Sequence, residues 1–128
     1  MSSSLSIQQA AERAGLTTHT LRYYERVNLI PPVARAANGH RRYSEEDFRR
    51  IEFVRCLRST GMPICDIQRY MAAARQGDQG IFERLAIMEG HQDRLVAKIQ
   101  ELTGFLDKIE SKVERYRARL EEQKLAVR

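Results

Sequence analysis

The stretch THTLRYYERVNLIPP, residues 18–32, sets Arg22, Tyr23, Tyr24 and Arg26 within five positions and then stops at two prolines. Packing alone has no use for the arginines, and a solvated face has none for the tyrosines. Thr17 is a helix N-cap. From it the spacing predicts a short helix that buries Leu21, Tyr24 and Val27 and turns Thr18, His19, Arg22 and Arg26 outward. Upstream, Ser6 and Gln9 form an S-x-x-Q capping box. Ile7, Ala10, Ala11 and Ala14 follow it at helical spacing, and Gly15 supplies a stop. Two short helices joined by a tight glycine turn make a helix-turn-helix.

Downstream, Pro31 and Pro32 forbid helix, and Asn38-Gly39 is a favoured pair for a tight hairpin turn. Two short strands are expected, about 31–35 and 40–43, carrying Arg35, Arg41, Arg42 and Tyr43. Ser44 with Glu45, Glu46 and Asp47 then opens a helix whose buried stripe is Phe48, Ile51, Val54 and Leu57. Gly61 ends it. Pro63 starts the first turn of another helix, with Ile64, Ile67, Tyr70 and Met71 inward.

The second half repeats one rule. Ile81, Leu85, Met88, Gln92, Leu95, Ile99, Leu102, Leu106, Ile109, Val113, Tyr116 and Leu120 are spaced alternately by four and three, and all but Gln92 are apolar. This is a heptad seam on one long helix. Gly90 and Gly104 both fall on the outermost heptad position. A hairpin folded back at Gly104 is the alternative, and the unbroken register argues against it. A lone helix would leave the seam in water, so an obligate homodimer is expected, with Phe82, Val96 and Phe105 flanking the seam. Heptads alone do not fix the direction of pairing. The expected division is a DNA-binding domain over 1–76, with helices at about 6–14, 18–27, 45–60 and 63–76 and a wing at 31–43. A dimerisation region over 77–128 follows, helical from about 80 to 123.

Charge and composition narrow the function. The 128 residues carry a net charge of +5, and residues 13–43 hold six arginines against the single acid Glu25. So concentrated an excess points to a polyanion. Arginine neutralises phosphate or forks onto guanine, and tyrosine gives phosphate a hydroxyl. A helix face of Thr18, His19, Arg22 and Arg26 suits a major groove, with the basic hairpin gripping phosphates beside it. No apolar run reaches the roughly 18–20 residues of a membrane span. The N-terminus lacks the pattern of a secretion signal, and two cysteines are too few for a disulfide scaffold. A cytoplasmic protein is expected, with no membrane partner. The sequence offers no nucleophile–base pair, phosphate loop or metal cluster, so neither enzymatic activity nor a cofactor is expected. His19, His40 and His91 are scattered, and no thiolate metal site is expected.

TLRYYERVNLIPP together with NGHRRYSEEDFRRIEFVRCLRSTGMPI closely resembles the MerR family of transcription regulators, over essentially the whole chain. The resemblance implies a mainly α fold: a winged helix-turn-helix at about 5–73 and an antiparallel coiled-coil dimerisation helix behind it. It implies a double-stranded operator in an overlong promoter spacer, bent and untwisted so that RNA polymerase engages both promoter elements. On that basis Arg22, Tyr23, Arg41 and Tyr43 are the foremost DNA contacts, with His19, Tyr24 and Arg42 behind them. His40 stands where family members often have tyrosine. Tyr24 also falls on the buried stripe, so core and contact both stay open for it. The segment RIEFVRCLRSTGMPI looks like the branch that answers aldehydes, electrophiles or nitric-oxide-derived stress, in which a cysteine matching Cys56 is the sensor. Arg55 and Arg58 lie near it in sequence. Cys65, in the first turn behind Pro63, is the second candidate thiol, with Asp66 working against it. Both cysteines have a competing reading as small buried hydrophobes. An effector-independent DNA-bending protein, a regulator of this type sensing another small ligand, and a coiled-coil adaptor are the alternative functions.

Overall fold

The computed structural model describes residues 4–126. Helix α1 spans Ile7–Ala14, and its capping box forms as the sequence dictates. Ser6 Oγ accepts from the Gln9 amide, and Gln9 Oε1 accepts from the Ser6 amide. Gly15 ends the helix at φ 71°, and the Leu16 amide then bonds back to the Ala11 carbonyl at 2.9 Å. That left-handed step lets α2, Thr18–Arg26, begin only three residues later on its Thr17 cap. Asn28, at φ 61°, takes the corresponding role after α2, and the Leu29 amide bonds to the Tyr24 carbonyl.

The wing departs from expectation. In place of strands at 31–35 and 40–43, the described residues contain only two isolated antiparallel bridges, Arg35 with Arg41 and Leu5 with Tyr43. The tight turn at Asn38-Gly39 does form, and two bonds close the hairpin: Ala36 amide to His40 carbonyl and Arg42 amide to Ala34 carbonyl. Pro31 and Pro32 remove the donors that would lengthen the ladder. The far side of the hairpin instead pairs with the segment before α1, through reciprocal bonds between Leu5 and Tyr43.

Helix α3, Glu45–Ser59, starts on a second capping box, Ser44 with Asp47, and buries Phe48, Ile51, Val54 and Leu57. Helix α4 runs Ile64–Arg75, with Pro63 as its N-cap and not within its first turn. A 3-10 turn, Gly77–Gly80, leads into α5, Ile81–Ala126. α5 is continuous through Gly104, which removes the folded-back hairpin. Its 46 residues extend about 70 Å.

The chain divides into a head that ends at Glu89 and a rod that begins at Gly90. In the head, Ala10, Ala14, Leu21, Tyr24, Leu29, Ile30, Ile51, Val54 and Ile67 form one core, and Ile87 joins it from the start of α5. The rod has no such core. Ile99, Leu102, Leu106, Ile109, Tyr116 and Leu120 are each more than half exposed.

Candidate nucleic-acid interface

The wing is fixed to α2 by one carboxylate. Glu25, on the inner side of α2, accepts from Arg41 Nε at 2.7 Å and from the Val33 amide at 3.3 Å. This hydrogen bond raises the arginine's pKa, so the guanidinium keeps its charge. Arg42 ties the wing to the N-terminal segment, donating to Ser4 Oγ at 3.0 Å and to the Ser4 carbonyl at 2.8 Å. At the tip, Arg35 donates to the Gly39 carbonyl at 2.9 Å.

These ties enclose a groove of about 390 Å³ between the start of α1, the middle of α2 and the wing. Arg22, Arg35, Arg41 and Arg42 line it, with Ser6, Gln8, Asn38 and His40, and no acid does. Arg22 is exposed and makes no hydrogen bond or ion pair with any described residue. A concave, acid-free surface carrying four guanidinium groups is suited to phosphate.

On the other flank of α2 lies a second hollow of about 420 Å³, lined by His19, Thr20, Tyr23, Tyr24 and Arg58. The half-buried Tyr23 ring has the guanidinium of Arg26 at 5.6 Å and that of Arg58 at 6.0 Å. Arg58 comes from α3. In the sequence it stands out only as a neighbour of Cys56, because nothing in local spacing says that α3 ends beside α2. Arg35 was placed on the wing but not among the contacts, although it lines the groove.

Tyr43, expected among the foremost contacts, is corrected, and Tyr24, open between core and contact, takes the core reading. Tyr24 and Tyr43 are 2% and 0% exposed, so their rings belong to the core and not to an accessible surface. Tyr43 follows Arg42 in extended backbone, where successive side chains take opposite faces, so one faces out and the other in. Burial raises the pKa of both phenols, and both stay protonated. The Tyr43 hydroxyl has no hydrogen-bond partner among the described residues. Of the remaining expected contacts, His19, Arg22 and Arg26 are exposed, and Thr18, Tyr23, Arg41 and Arg42 are half-buried.

Both thiols are exposed, which removes the reading of either as a buried hydrophobe in the single chain. Cys56 opens into a shallow hollow with Glu52, Arg55 and Ser59. Arg55 is also engaged across the head, donating to the Ala14 carbonyl at 2.8 Å, where it caps the end of α1. Cys65 lies 3.9 Å from the Asp66 carboxylate. Among the described residues no group of three or more His, Cys, Asp and Glu gathers as metal ligands, and no helix is long and apolar enough to cross a membrane.

This geometry has close counterparts. Residues 5–74 match the family described as MerR HTH family regulatory protein, and residues 48–112 match the one described as MerR, DNA binding. The chain is 36% identical over 108 residues to an uncharacterized HTH-type transcriptional regulator of Haemophilus influenzae, covering 84% of this chain and 80% of that one. It is 44% identical over 92 residues to the HTH-type transcriptional regulator AdhR of Bacillus subtilis, covering 72% and 66%. The crystal structure of HiNmlR, described as a MerR family regulator lacking the sensor domain and bound to promoter DNA, superposes with a TM-score of 0.83 at 34% identity, covering 90% of this chain and 91% of that one. The chain belongs to the MerR family of helix-turn-helix proteins and is a DNA-binding transcriptional regulator.

Proposed function

We propose that two copies of this chain join through α5 and set their paired heads on a pseudo-palindromic promoter spacer. Distortion of that duplex brings both promoter elements within reach of RNA polymerase. The observation that carries this is the acid-free groove lined by Arg22, Arg35, Arg41 and Arg42. Tyr23, His19, Arg26 and Arg58 extend the cationic surface along α2. The exposed seam from Ile81 to Leu120 supports pairing, because an unpaired rod holds its apolar stripe in water. The work is cytoplasmic in this reading, where promoter DNA and polymerase are found.

Arg22→Ala tests the groove. Binding to a promoter duplex is expected to weaken at least tenfold. The slope of log affinity against log salt should become shallower by about one for each copy bound. Wild-type affinity with an unchanged slope contradicts the assignment.

For the signal, the proposal is that an electrophile modifies Cys56. With an aldehyde, the sulfur adds to the carbonyl carbon, and a proton passes to the carbonyl oxygen to give a hemithioacetal. The thiol is exposed and shares its hollow with Arg55, whose guanidinium bonds to the end of α1, so an adduct there bears on the joint between α3 and the helix-turn-helix. In transcription reactions with purified polymerase, formaldehyde or methylglyoxal should stimulate the wild type and leave Cys56→Ser unresponsive. Equal stimulation of both proteins eliminates Cys56 as the sensor and moves attention to Cys65.

A further inference from the structure

The segment 13–43 contains one acid among six arginines, and that acid hydrogen-bonds α2 to the wing at two points. An isolated carboxylate beside a phosphate-binding groove opposes binding by simple charge, so its presence calls for another reason. Its geometry supplies one. The Glu25 and Arg41 side chains are only 13% and 24% exposed. One carboxylate oxygen holds Arg41 at Nε, and the other holds the backbone of Val33 at the root of the wing. Arg41 also lines the groove, and its terminal nitrogens make no hydrogen bond or ion pair with any other described residue. A guanidinium fixed at Nε keeps its two outer nitrogens for a second acceptor, in an orientation already set.

We infer that Glu25 is a positioning residue for sequence recognition. It locks the wing to α2 and aims Arg41 so that the helix and the wing meet DNA in one fixed register. The inference rests on the groove being the DNA face. Because phosphate contacts set register while base contacts read sequence, slackening this joint affects discrimination more than attraction.

Glu25→Gln tests it. The glutamine keeps the size of the side chain and an acceptor for Val33, and it removes one negative charge. The probes are the duplex that the wild-type chain enriches from a random pool and a scrambled duplex of the same composition, each titrated at one salt concentration. The ratio of the two affinities is expected to fall about tenfold, while affinity for the scrambled duplex stays level or rises. A merely structural role would weaken both duplexes together and lower the melting temperature. Arg41→Lys keeps the charge but has no Nε, so it should lose the same ratio. In an Arg41→Ala background, Glu25→Gln should change the ratio by less than twofold.

A Glu25→Gln ratio within twofold of wild type overturns the inference. So does a parallel loss on both duplexes, or an equal loss when Arg41 is absent. Arg22→Ala in the same titration separates the two levels: if it binds like wild type, the groove reading fails and this inference falls with it. If Arg22→Ala weakens binding while Glu25→Gln leaves the ratio intact, the inference alone is wrong.

Discussion

Leu102→Glu is expected to convert the protein from a dimer into a monomer at micromolar concentration and to abolish operator binding. Leu102 lies near the middle of the seam and is 52% exposed in the single chain, as are its neighbours Ile99 and Leu106 to within a few per cent. Pairing through this stripe would bury two copies of each. Losing the exposed halves of two leucines removes about 2 kcal/mol of apolar burial, and placing two carboxylates against the partner's seam costs several kcal/mol more. At roughly 1.4 kcal/mol per factor of ten, dimerisation should weaken at least a thousandfold. The head has its own core, so its helices and melting should survive the change. Sedimentation equilibrium reads the mass, and circular dichroism checks the fold. A dimer of unchanged affinity would show that the seam does not hold the pair.

Gly80→Ala should destabilise the head by about 3 kcal/mol or more, a fall of at least ~10 °C in melting temperature for a unit of this size. A Cβ on Gly80 would lie 1.9 Å from the Ala73 carbonyl oxygen and 2.7 Å from its carbon. Both are backbone atoms of α4, so neither can rotate away, and the α4–α5 junction would have to open. Gly80 has no left-handed backbone angle to satisfy, so close approach alone requires the glycine. Gly104 supplies the contrast. Nothing lies within 4 Å of a Cβ there, and alanine in mid-helix should stabilise the rod by about 1 kcal/mol. Equal melting of Gly80→Ala and wild type would contradict the packing described at this junction.

Much of the head is legible in local sequence, because its signals act within four residues. The Ser6–Gln9 box, the helix start at Ser44, the Gly15 stop and the Asn38-Gly39 turn all take the form their spacing dictates. The seam is legible for a different reason: its repeat runs over forty residues, too long for chance. What local spacing does not carry is contact between distant segments. The Glu25–Arg41 pair crosses 16 positions, and Arg55 reaches Ala14 across 41. Arg58 meets Tyr23 only because α3 ends beside α2. The burial of Tyr43 has no local signal, because its pairing with Leu5, 38 residues earlier, is what turns the ring inward. Asn28 was passed over as a helix end because its left-handed angle is one asparagine tolerates but does not announce.

The most direct test is the mass of the complex between the chain and a single selected promoter duplex, measured at moderate salt by sedimentation equilibrium. Two chains on one duplex are expected, and at least tenfold more chain for the same occupancy when Arg22→Ala replaces the wild type. One chain per duplex, or a full complex formed at the same concentration without Arg22, would contradict this assembly.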